Sequence, residues 1–109
     1  MEEKRKEHYG QVVEAKIESW KKQYRKIVEI EIEDEEGVYH AYMHSPDMKT
    51  MKAAMDIGKK DEMEATEVLI KNCWIEGVQV MLTDGLLYVQ LANQVQKMFG
   101  SAVGRLKNL

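Results

Sequence analysis

The chain has 109 residues, 16 Lys/Arg against 19 Asp/Glu, a formal charge of -3 and one cysteine. That is enough chain for one modest core and too little for two. The charge gives no general attraction for phosphate backbones, a lone thiol makes no internal disulfide, and no apolar run is long enough to span a bilayer. Composition thus excludes disulfide scaffolds, membrane proteins and strongly basic nucleic-acid binders. The N-terminus Met-Glu-Glu-Lys-Arg-Lys-Glu lacks the apolar stretch of a secretory signal, and a reducing cytoplasm is the expected setting.

In chain order, Tyr9, Val12, Val13, Ile17, Trp20 and Tyr24 recur at steps of three and four, which predicts an N-terminal helix. Glu18 and Lys22 have the spacing of a surface pair. From Ile27 the period becomes two: Val28, Ile30 and Ile32 alternate with Glu29, Glu31 and Glu33, as in a half-buried strand. Asp34–Gly37 predicts a turn, with Gly37 available for a positive φ. Val38–His44 is expected to return antiparallel. A two-stranded hairpin is marginal alone, so helices must cover it.

Ser45-Pro46-Asp47 reads as a helix start, with Ser45 as N-cap and Pro46 at the first helical position. Met48, Met51 and Met55 share one face of that helix, and Gly58 ends it. Asp61 with Glu64 starts the next helix, which places Met63, Thr66, Leu69, Ile70 and Cys73 on one side. Val78, Val80 and Leu82 suggest a loop with a short extended piece. Thr83-Asp84 caps a last helix that presents Leu87, Leu91, Val95, Met98 and Phe99 inward. The expected fold is α+β, one small domain over residues 1–109: an N-terminal helix, an antiparallel two-stranded β-hairpin, then three helices. Residues 1–8 and 100–109 are expected to be weakly ordered ends.

Chemistry is sparse. His40 and His44 stand four apart on a strand, about 13 Å at the strand rise, too far for one zinc. They are expected to be exposed edge-strand histidines. Cys73 falls on an apolar helix face and reads as buried and unreactive. No phosphate-binding glycine loop, nucleophile elbow or HExxH is present, so no enzymatic activity, cofactor or metal is expected. Lys21, Lys22, Arg25 and Lys26, interleaved with Trp20 and Tyr24, have the residue types that hold nucleic acid. The preferred reading packs the aromatics inward with the lysine heads in water. The Met48, Met51 and Met55 stripe is either plain core or an adaptable binding surface.

Three stretches carry a resemblance. Trp20-Lys21-Lys22-Gln23-Tyr24 leads into the Ile27–Glu33 strand, Val38-Tyr39-His40-Ala41-Tyr42 precedes Ser45 to Ala54, and Ala65 to Ile75 holds an Asn72-Cys73 pair. Over residues 19–99 the order resembles the tail assembly chaperones of tailed bacteriophages and prophages. The sequence departs from that pattern after Ile75, where Glu76-Gly77-Val78 replaces a Gly-Gly-Asp-like turn. The resemblance implies a non-enzymatic chaperone in the cytoplasm of the bacterial host, which coats and solubilises the tape-measure protein until the tail tube forms around it. It implies a protein partner, the tape-measure protein or another tail protein, with homo-oligomers allowed and no nucleic acid or membrane. Candidate partner-binding residues are Met48, Met51, Met55, Trp20 and Tyr24. The competing functions are a small structural component of the virion, or an acidic regulator that uses Glu29 to Glu36 against a host enzyme.

Overall fold

A computed structural model of the chain describes residues 5–98 and 104–109. Within them the chain runs β1 (Glu7–Tyr9), α1 (Glu14–Gln23), β2 (Ile27–Glu33), β3 (Gly37–His44), α2 (Met48–Gly58), α3 (Glu62–Cys73), β4 (Trp74–Gly77), α4 (Val80–Thr83) and α5 (Gly85–Lys97). The fold class is α+β. Phe99, Gly100 and Val103 lie outside the described residues, and 104–109 carry no helix or strand. No helix among the described residues is long and apolar enough to cross a membrane.

The hairpin forms in the expected register, from Ile27 opposite His44 to Glu33 opposite Val38. Its turn is held by Asp34, whose Oδ1 accepts from the amides of Glu36 at 2.8 Å and Gly37 at 3.1 Å. This satisfies two donors that a tight turn leaves unpaired. Gly37 does not use a positive φ; among the described glycines only Gly10 does. Gly37 is required because a Cβ there would stand 2.5 Å from the Tyr9 ring and 2.9 Å from the carbonyl of Glu7.

Among the described residues the sheet has four strands rather than two. β3 lies at its centre, antiparallel to β2 on one side. Its other side is shared by β1, parallel over Gly37 to Tyr39, and β4, antiparallel over Ala41 to Met43. The helical face expected to begin at Tyr9 is therefore cut short. Tyr9 belongs to β1, stacked on Tyr39 at 5.4 Å between ring centroids. Gly10 turns the chain at φ 79°, and α1 begins only at Glu14, leaving Val13 71% exposed. Glu7 and His8, expected to be a weakly ordered end, are in the sheet.

Period-two alternation sorts the sheet residues onto two faces. Ile30, Ile32, Tyr39, Ala41 and Met43 join Ala54 of α2, Leu69, Ile70 and Cys73 of α3, Met81 of α4 and Leu87, Leu91 and Val95 of α5 in one apolar core. Met63, expected inward, is 49% exposed. Carboxylates cap the starts of α2, α3 and α5: Asp47 accepts from Thr50, Asp61 from Glu64 and Asp84 from Leu87, at 2.8, 3.1 and 3.0 Å. The first cap is Asp47 rather than Ser45, two residues later than the Ser-Pro signal suggests. The amide of Ser45 instead donates to the carbonyl of Lys26 at 3.0 Å and extends the hairpin pairing. The Thr50 hydrogen bonds hold the Asp47 carboxyl below its ordinary range. Val80 and Leu82, expected in a loop with a short extended piece, lie instead in a single helical turn, Val80–Thr83, and the strand is formed earlier, by Trp74–Gly77.

Candidate functional site

Where the open end of the hairpin meets α2, α3 and the end of α5, a groove of about 410 Å³ opens. Val28 and Met43 contribute from the sheet, Met51 from α2, Leu69 and Cys73 from α3, and Met98 follows α5. Arg25, Lys26, Ser45 and Pro46 form the polar part of its wall. Two features of the sequence create it. Ser45 and Pro46 link the end of β3 to the Asp47 cap of α2 and line the groove between them. The long, unbranched side chains of Met43, Met51 and Met98 leave the space loosely filled, and a thioether adapts to varied apolar shapes. Neither Arg25 nor Lys26 forms an ion pair among the described residues.

The predicted methionine stripe is divided by burial. Met51 is half-buried in the groove, whereas Met48 is 73% and Met55 64% exposed along the outer surface of α2. None of the three is sealed in the core, and Met43 and Met81, which are, came from outside the stripe. Trp20 and Tyr24 are not brought to this surface as a pair. Trp20 is buried against Tyr42 with ring centroids 5.4 Å apart, and Tyr24 stacks flat on His44 at 4.3 Å. Trp20 packs inward, Tyr24 is half-buried, and Lys21 and Lys22 stay exposed beside them. Cys73 is buried, and burial pushes its thiol up to about 11, with Asp47 adding a smaller push in the same direction. Buried and held protonated at neutral pH, the thiol adds to the apolar lining of the groove.

The opposite face of the sheet holds an arrangement that the sequence did not reveal. His40 is 1% exposed on the central strand, not at an edge. It does not approach a metal-binding partner through His44, whose Nδ1 lies 2.9 Å from the Ser45 carbonyl oxygen. Instead β1 carries His8 onto it, with Nδ1 of His8 2.7 Å from Nε2 of His40. The other ring nitrogen of His40 is 3.1 Å from Oε1 of Glu29, and the same carboxylate oxygen accepts from the Tyr42 hydroxyl at 2.6 Å. The amide of Val12 donates to that hydroxyl at 3.2 Å, and burial together with the Glu29 bond raises the Tyr42 phenol. Glu31 stands 3.8 Å from Nε2 of His40. Thus Glu29 and Glu31, on the polar side of the predicted half-buried strand, each face a buried imidazole.

The only signal for this face was β3 itself. Gly-Val-Tyr-His-Ala-Tyr-Met-His has no charged residue on either alternation, the mark of a strand covered on both sides. Compared with protein-family models, curated proteins and solved structures, the chain matches none.

Proposed function

We propose that this chain is a non-enzymatic phage tail assembly chaperone that binds the apolar face of the helical tape-measure protein and keeps it soluble. The observation that carries this reading is the groove at Met43, Met51 and Met98, continued along α2 by the exposed Met48 and Met55. A holdase for a long amphipathic helix needs apolar surface that re-packs around changing side chains, and methionine supplies it. About 410 Å³ admits one or two anchor side chains, not a helix. The helix would lie across the opening with its apolar residues inserted. Arg25 and Lys26 at the wall favour acidic residues flanking those anchors. The resemblance of residues 19–99 to tail assembly chaperones favours the tape-measure protein as the partner, and the groove offers a way to hold it.

Co-expression of the tagged protein with the proteins encoded beside its gene tests this. Recovery of a long, helix-rich protein that is insoluble by itself is the expected result. Recovery of a subunit retained in finished particles would replace the proposal with a structural role in the virion. Recovery of a host enzyme, lost when the Glu29 to Glu36 acids are neutralised, would replace it with a regulator.

A further inference from the structure

We propose that His8, His40 and Glu31 form a binding site for a zinc-class divalent transition metal. Ligand atoms of the three residues all lie within 4.8 Å of one another. Two imidazoles and one carboxylate are the donor set of open zinc sites, and they select against calcium and magnesium, which require oxygen.

The surroundings of His40 carry the argument further than the ligand count. A metal-binding imidazole is usually oriented by a carboxylate on its other nitrogen. Glu29 occupies that position at 3.1 Å from Nδ1 of His40 and is itself fixed by the Tyr42 hydroxyl at 2.6 Å. With the proton held on Nδ1, the lone pair of Nε2 points toward His8 and Glu31. In the structure Nδ1 of His8 lies 2.7 Å from that atom, with the rings inclined by 27°. Two nitrogens on one tetrahedral zinc lie about 3.3 Å apart, so binding needs the pair to open by about 0.6 Å. His8 is exposed on a three-residue strand, so the movement falls on the least constrained member. An open groove lined by Arg5, Lys6, His8, Glu31, Glu33 and Val38 gives an ion access. Three protein ligands leave a fourth position for water, and the ion would clip β1 to the sheet.

The site is independent of the methionine groove, and the test is metal binding by the untagged full chain at pH 7.5. One equivalent of Co²⁺ is expected to give the visible absorption of a low-symmetry site, and Zn²⁺ to displace it. Nitrogen resonances of His8 and His40 should shift, while those of His44 stay in place. His8→Ala should weaken Zn²⁺ binding by at least about 100-fold, and Glu29→Gln, which keeps all three ligands, by about 10- to 100-fold. Both side chains are accessible to solvent, so each variant is expected to fold, with circular dichroism as the check; Glu31→Gln provides a second ligand variant. Absence of saturable one-equivalent binding would overturn the proposal and leave a histidine–histidine hydrogen bond. Unchanged affinity in both His8→Ala and Glu31→Gln, or shifts centred on His44, would overturn it by placing the ion elsewhere.

Discussion

Gly10 sits where three requirements meet: a φ of 79°, a Cβ position 2.5 Å from the Val78 side chain, and one 3.0 Å from the His40 carbonyl oxygen. Gly10→Ala should therefore destabilise the fold by about 1–3 kcal/mol, measured by urea unfolding. Tyr42→Phe keeps the ring against Trp20 but removes the hydroxyl shared by Val12 and Glu29. It should cost about 1 kcal/mol in the same assay. Cys73 gives a pH-dependent expectation. Its thiol is raised from 9.0 to about 11 in the fold, so the unfolded chain loses that proton first as pH rises. Stability from this group is fully present below pH 9, falls above it and is lost as pH passes through about 11. Alkaline unfolding midpoints should show the decline, and Cys73→Ala should lessen it. At neutral pH a thiol reagent should modify Cys73 far more slowly than a free cysteine.

At the scale of elements, the caps separate what was legible from what was not. Asp61 and Asp84 were readable because a carboxylate three residues before an amide is a local pattern, and both accept those hydrogen bonds. Asp84→Ala should cost about 1 kcal/mol of α5 stability, observed as a lowered thermal midpoint. At Ser45-Pro46-Asp47 the same local logic chose Ser45, but the amide of Ser45 is taken by the hairpin and Asp47 makes the cap. The β2–β3 hairpin was legible for the same reason as the caps: an alternating strand and a short turn are local. β1 and β4 were not legible. Three- and four-residue strands carry too little periodicity to separate from loops, and the partner of β1 is about thirty residues away. The burial of His40 and its meeting with His8 follow from that missed pairing. The methionine face of α2 could be seen as a helical stripe, but a period of 3.6 does not distinguish core from groove. Replacing Met48, Met51 and Met55 with Leu should preserve the fold at a cost under about 1.5 kcal/mol and weaken capture of varied helical partners.

Across the whole molecule the sheet separates two surfaces. On one side, helices pack over an apolar core that leaves the methionine groove at its margin. On the other, the segment from β1 into α1 brings His8 and Trp20 onto a polar face of His40, Tyr42 and glutamates. The surface acids do not form one uniform patch. Asp34 is spent on its turn, and Glu29 and Glu31 face His40. On the proposed reading, an apolar helical partner docks at the methionine groove. The most direct measurement compares co-purification by the wild-type protein with that by Met51→Lys, after equal folding of the two is verified by thermal melting. The wild type should retain the long helical partner and the variant should lose it by at least about tenfold, since a buried ammonium opposes every apolar anchor. Equal recovery by both would contradict helix capture in the groove.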